Sequence, residues 1–170
     1  AQLLAETVTP VCEQAGVKVL TDFQGGNISG CEFASNGRLT ISVVPENEPI
    51  NSSPWYAFRL LANATTDVAI VLDYGNYTHR YTPDFSIDGL NWQTYPAAKL
   101  ELSKDKSRAG FSLMIPQGKS VVIAAQPLLT SSHYASWLES LKEQHGVNVS
   151  SAGSSVEGRP LWRMTTPVKK

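Results

Sequence analysis

No stretch of this 170-residue chain is apolar over the ~18–20 residues that a membrane helix needs, so no helical span is expected. Charge is scarce and balanced. Asp, Glu, Lys and Arg make up 17% of the residues, against a usual ~25%, and 14 basic residues face 15 acidic ones for a net charge of −1. No basic block occurs, which removes the clustered Lys and Arg that nucleic acid requires. The histidines are His79, His133 and His145, and no two stand at HxxH, HxxxH or HxxE spacing. A catalytic zinc needs three protein ligands, and none can be assembled from them, so each reads as an isolated surface or half-buried imidazole. A Ser nucleophile elbow, a P-loop and a GxGxxG are also absent. Glu46 and Glu48 share a Pro-bounded loop and read as solvated rather than as an acid/base pair. No catalytic or metal-ligating residue is assigned.

There are two cysteines, Cys12 and Cys31. They are too far apart for a CxxC redox or zinc pattern. Two readings remain: a disulfide closing a short N-terminal loop, or two separate buried thiols. The chain opens Ala-Gln-Leu-Leu, with no charged n-region and no signal h-region, which reads as a mature start after signal cleavage. A secreted or periplasmic location is the expectation. Asn-x-Ser/Thr sequons stand at Asn27, Asn51, Asn63, Asn76 and Asn148. They are glycan acceptors in a eukaryotic secreted protein and polar loops in a bacterial one.

Apolar residues nonetheless make up 42% of the chain, enough for a buried core. From about residue 17 to 126 they recur with period two. Leu39, Ile41 and Val43 alternate with polar neighbours, as do Tyr56, Phe58 and Leu60, then Val68, Ile70 and Leu72. Leu100 and Leu102, Phe111, Leu113 and Ile115 continue the pattern, and Val121–Ala125 is continuously apolar. Strict alternation gives strands with one buried and one wet face. Turn signals separate them: Gln24-Gly25-Gly26-Asn27, Asn36-Gly37, Pro45 to Pro54, Asp88-Gly89 and Pro116-Gln117-Gly118. The expected fold is an antiparallel β-sandwich or barrel. After Pro127 the period changes. Tyr134, Trp137, Leu138 and Leu141 fall on one helical face, with an N-cap among Thr130–Ser132 and Gly146 as C-terminal stop. Extended runs follow around Val147–Val149 and Leu161–Thr165.

Two features bear on binding. Ser86-Ile87-Asp88-Gly89-Leu90-Asn91-Trp92 reads as a tight hairpin with its Trp on the core, or as a ligand rim with Trp92 as a sugar platform. Tyr56 and Phe58 point inward by alternation, whereas Tyr74, Tyr77 and Tyr81 beside Gly75 and Asn76 are the expected exposed set. Tyr77, Tyr81 and Trp92 form a candidate surface aromatic patch. A stand-alone carbohydrate-binding sandwich is the reading that would use them.

Several stretches, in order, resemble one family. Phe23-Gln24-Gly25-Gly26-Asn27-Ile28 is similar to the F-x-x-G-N-I start of the N-terminal domain that precedes the catalytic domain in many bacterial and cytosolic-type zinc carboxypeptidases. Trp55-Tyr56-Ala57-Phe58-Arg59 resembles that domain's W-F-x-F-R strand, and Pro83 to Trp92 its P-x-x-S-x-D-G-x-x-W hairpin. Val121–Ala125 followed by Pro127 resembles its last strand and exit proline, although Leu128 stands where the family often has Tyr. Gly153-Ser154-Ser155-Val156-Glu157-Gly158-Arg159-Pro160-Leu161 resembles the G-x-S-x-E-G-R-P-[IL] stretch that leads into the first strand of the carboxypeptidase domain.

The resemblance implies a β-sandwich accessory domain over 1–128 and the truncated start of an α/β zinc carboxypeptidase domain over 129–170. It implies a parent that removes C-terminal residues from peptides with zinc as cofactor. It also implies that this chain binds no zinc and has no activity of its own, because the sequence stops before the family's H-x-x-E motif. The implied partners are the missing catalytic domain and, through it, peptide or protein substrates. Arg159 is read as part of a structural turn.

Overall fold

The computed structural model describes residues 9–166. The chain start at Ala1–Leu4 lies outside them. The chain divides into two compact units, Ala1–Leu128 and Leu129–Lys170.

The first unit is a mainly β sandwich of two sheets. Its strands are β1 (Cys12–Gln14), β2 (Val17–Leu20), β3 (Gly30–Phe33), β4 (Leu39–Ser42), β5 (Ala57–Ala62) and β6 (Thr66–Asp73). They continue with β7 (Asp84–Ser86), β8 (Gln93–Thr94), β9 (Glu101–Leu102), β10 (Arg108–Ile115) and β11 (Ser120–Ala124). One sheet has the order β1-β2-β5-β11-β7-β8 and the other β3-β4-β6-β10-β9. Pairing is antiparallel except between β4 and β6, which run parallel. Between them the chain passes through β5 of the opposite sheet, so it re-enters in its original direction.

The period-two pattern becomes the core. Val19, Tyr56, Phe58, Leu60 and Ile123 of the six-stranded sheet and Leu39, Ile41, Ile70, Leu72 and Ile115 of the five-stranded sheet are buried in one cluster. Burying each such side chain contributes about 1.5–3 kcal/mol. The uninterrupted Val121–Ala125 run is β11 and its exit, the strand between β5 and β7, and it is buried on both faces. Leu102 departs from the pattern and is 44% exposed. A 3₁₀ turn at Ala97–Lys99 and the Ser103–Lys106 turn confine β9 to two residues at a sheet edge, too short to fix an inward face.

The entry loop explains its glycines. A side chain on Gly26 would put Cβ 2.3 Å from the Thr21 carbonyl oxygen, a distance only glycine permits. That approach lets Asn27 exchange backbone hydrogen bonds with Ala57 of β5, at 2.8 and 2.9 Å. On the same strand the Arg59 guanidinium lies over the Phe23 ring, 4.7 Å from its centroid.

Cys12 and Cys31 are bonded to each other, with Cα atoms 6.1 Å apart. Cys12 is on β1 and Cys31 on β3, which are edge strands of opposite sheets. The bond therefore ties the two layers together at one side.

The second unit holds α1 (Ser131–His145) and the antiparallel hairpin β12 (Asn148–Ser154) with β13 (Pro160–Thr165). Thr130 caps the helix by accepting the His133 N–H at its Oγ1 (3.3 Å), and Gly146 ends it in the left-handed region at φ 62°. Leu138 of α1 is buried, whereas every described residue of β13, Leu161 and Trp162 included, is exposed. The Glu157-Gly158-Arg159 stretch forms the hairpin turn. Gly158 donates to the Ser155 carbonyl (2.9 Å), and Arg159 pairs with Glu157 (2.6 Å).

Replacing both Cys12 and Cys31 with Ser should lower unfolding stability by about 3 kcal/mol, because the bond closes a loop between residues 19 apart. Urea denaturation followed by circular dichroism measures this. An unchanged midpoint would show that the link constrains nothing.

Candidate functional site

The Ser-x-Asp-Gly-x-x-Trp stretch folds into a self-contained turn between β7 and β8. Asp88 Oδ1 accepts from the Asn91 N–H (2.7 Å), the Leu90 N–H (2.9 Å) and the Ser86 hydroxyl (3.0 Å). Its Oδ2 accepts from the Asn91 side-chain amide (2.7 Å). These donors, Asn91's backbone foremost, hold the Asp88 carboxyl far below the usual carboxylate range. Gly89 takes a positive φ of 74°, and its N–H donates to the Ser86 hydroxyl (2.9 Å). The Trp92 indole N–H donates to the Gly89 carbonyl (3.2 Å), which fixes the half-buried ring. Below the turn, Thr94 donates to the buried Asp84 carboxylate (2.6 Å). Each polar side chain of the motif, Ser86, Asp88, Asn91 and Trp92, is therefore engaged in holding the turn.

The tyrosines divide differently from their sequence pattern. Tyr74 is 2% exposed, a core residue rather than a surface one. Its backbone N–H bonds to the Ser107 carbonyl (2.8 Å), which carries the end of β6 inward. Its hydroxyl lies 3.2 Å from His79 Nδ1, and burial pushes the phenol well above its ordinary pKa. Tyr77 and Tyr81 are half-buried and pack against the core cluster. Tyr77 bonds the Glu48 carboxylate, which raises the phenol's pKa. The Arg80 guanidinium lies 5.2 Å from the Tyr81 ring centroid. Among the described residues, no ring contact joins any two of Tyr77, Tyr81 and Trp92. Tyr77 and Tyr81 share one segment, and Trp92 belongs to the separate hairpin.

A second polar surface, not singled out from sequence, crosses the outer face of the five-stranded sheet. Its register aligns Glu32, Thr40, Val71, Gly110 and Glu101 in one transverse row. The row floors a groove of about 490 Å³, flanked by the Asp73–Arg108 ion pair (2.9 Å). Four interstrand steps of ~4.8 Å separate the two Glu backbones by roughly 19 Å, so the two acidic residues stand at opposite ends of the row. The surface offers hydrogen bonds rather than acid/base chemistry. It follows from which outward residues the strand register aligns, a signal that pairing alone reveals. Among the described residues, no group of three His, Cys, Asp or Glu is placed to hold a metal ion.

No protein-family model and no curated protein matches the sequence. The fold does match solved structures. A metallo-carboxypeptidase from Burkholderia cenocepacia aligns with a TM-score of 0.65 and 17% identity over 91% of this chain and 40% of its own. A metallo-carboxypeptidase from Pseudomonas aeruginosa, solved with (2-guanidinoethylmercapto)succinic acid, aligns with a TM-score of 0.58 and 22% identity over 85% of this chain and 39% of its own. The chain thus spans about 40% of the length of these structures. In the first match, about 15 residues of this chain stay unmatched, fewer than the second unit contains, so the likeness takes in residues of both units. The fold is carboxypeptidase-like over the segment this chain covers.

The Asp88 turn predicts acid sensitivity. A folded-state pKa below the unfolded value of ~3.9 adds stability that is present above pH ~4 and lost as pH falls through the folded value. Asp105, held down to about 2 by hydrogen bonds from Ser103 and Ser107, acts in the same sense. Urea midpoints should fall between pH 4 and 2, and less steeply in Asp88→Asn than in the parent chain. Superimposable profiles would show that Asp88 contributes nothing to this slope.

Proposed function

We propose that residues 1–128 are the non-catalytic β-sandwich accessory domain of a zinc metallocarboxypeptidase and that residues 129–170 begin its catalytic domain. The observation that carries this reading is the fold likeness to metallo-carboxypeptidases, which takes in residues of both units yet only about 40% of the other chain. The sequence resemblance supports it independently, since its matching stretches fall in both units. The Gly153–Leu161 stretch lies on the β12–β13 hairpin, and Arg159 there is paired with Glu157. Arg159 is accordingly a turn residue rather than a substrate-carboxylate ligand.

In this reading the parent removes C-terminal residues from peptides. The described residues do not fit a zinc ion, because no three candidate ligands converge. No hydrolytic step is therefore assigned to this chain, and the metal belongs to the rest of the parent. The sandwich packs on its own catalytic domain and shapes which peptides reach the cleft. The Cys12–Cys31 bond supports a secreted or periplasmic setting, where disulfides persist.

The test compares three proteins on a panel of peptides: the 170-residue chain, the chain extended through its downstream coding sequence, and the extended protein without residues 1–128. The extended protein should release C-terminal amino acids in a chelator-sensitive way, and the 170-residue chain should release none. Deleting the sandwich should lower stability or shift kcat/KM between peptides by about tenfold. Unaltered folding and kinetics would defeat the accessory role. Saturable saccharide binding by the 170-residue chain would favour a carbohydrate-binding module instead.

A further inference from the structure

We propose that the cleft between residues 51–54 and 77–80 is an oxoanion-binding site. It would hold a carboxylate or phosphate group between the Arg80 guanidinium, the His79 imidazole and the hydroxyls of Ser52, Ser53 and Thr78. The cleft lies within the first unit, is open to solvent and has a volume of about 470 Å³. Its lining is of one chemical kind. Besides Pro54 it contains one guanidinium, one imidazole, the hydroxyls of Ser52, Ser53, Thr78 and Tyr77 and the Asn51 amide, and no carboxylate.

Arg80 supplies the cleft's positive charge. It makes no ion pair among the described residues, so its charge is not neutralised. It is nevertheless held in place. Its Nη1 reaches the Ser53 hydroxyl across the cleft at 3.4 Å, and its guanidinium lies against the Tyr81 ring. A guanidinium restrained by an aromatic face and a weak hydroxyl contact keeps donors for a planar or tetrahedral oxoanion and loses little freedom on binding.

His79 adds a second donor. When the Tyr74 hydroxyl donates to Nδ1 (3.2 Å), the ring proton sits on Nε2 and remains available. Burial and the neighbouring Lys106 ammonium favour the neutral ring, so His79 contributes a hydrogen bond rather than a charge at neutral pH. Lys106 is joined to this element through its carbonyl, which accepts the His79 backbone N–H (2.7 Å), and it brings a second cation nearby. One anion opposes them. Glu48 is bonded by Tyr77, which lines the cleft, and its charge weakens anion binding there. This gives the site an internal control, because removing Glu48's charge should strengthen what removing Arg80's charge weakens.

The experiment uses the full 170-residue chain, ¹⁵N-labelled, at pH 7.5. Inorganic phosphate and succinate are titrated separately, with sodium chloride at equal ionic strength as the reference. Saturable amide shifts confined to residues 51–54 and 77–80 are expected. Arg80→Gln should weaken binding at least about tenfold, while Glu48→Gln should tighten it about two- to fivefold. Both side chains are exposed, and unchanged shifts elsewhere in the spectrum confirm that the variants fold. Tighter phosphate than succinate identifies a phosphorylated ligand, and the reverse identifies an acidic side chain or a C-terminal carboxylate. Shifts that stay linear and match those from chloride, or an Arg80→Gln affinity equal to that of the parent chain, would overturn the proposal.

Discussion

Two sheets whose facing sides are apolar cannot stand apart in water, and this mutual requirement organises the first unit. Tyr56, Phe58 and Leu60 in and beside β5 and Ile123 of β11 share one buried cluster with Leu39, Ile41, Ile70, Leu72 and Ile115 of the facing sheet. Strand register follows, because a one-residue slip would turn every such side chain outward. The Cys12–Cys31 link then joins the layers at edge strands of the two sheets. A sandwich closed in this way presents fixed outer faces, and any binding role rests on that rigidity.

The stretches that resemble carboxypeptidase sequences prove to be structural devices when their contacts are traced. Gly26 permits the approach that lets Asn27 bridge to Ala57, and Arg59 two residues further on lies over Phe23, so the first two stretches touch each other. Asp88 organises the hairpin by accepting from three neighbours, and Trp92 closes it. Glu157 and Arg159 pair within a turn. None of these side chains is placed to attack, protonate or coordinate. The family signal of this segment is therefore about shape.

How far the fold was legible in sequence depended on how local its causes were. Alternation placed the strands around Leu39–Val43, Tyr56–Leu60, Val68–Leu72 and Phe111–Ile115, and the cap and stop residues bounded the helix, because each of these signals acts within a few residues. Tyr74 escaped because its burial depends on a bond to Ser107, 33 positions away. Leu102 escaped because flanking turns left β9 too short to bury it. The candidate surfaces were the least visible. Glu32 and Glu101 share a row only through four strand pairings, and Arg80 meets Ser53 across 27 positions. Tyr77, Tyr81 and Trp92 match a binding patch by residue type alone, and the structure divides them between two separate segments.

The contrast between the units gives the most direct test of the proposal that the sandwich is stable by itself while the second unit, 129–170, is only marginally so. A two-stranded hairpin is marginal alone in water, and β13 leaves Leu161 52% and Trp162 39% exposed. Native-state hydrogen exchange on the 170-residue chain reads both units at once. The account predicts that amides of β5, β6, β10 and β11 exchange only through global unfolding, while those of β12 and β13 exchange orders of magnitude faster. Equal protection in β12–β13 and β11 would contradict it.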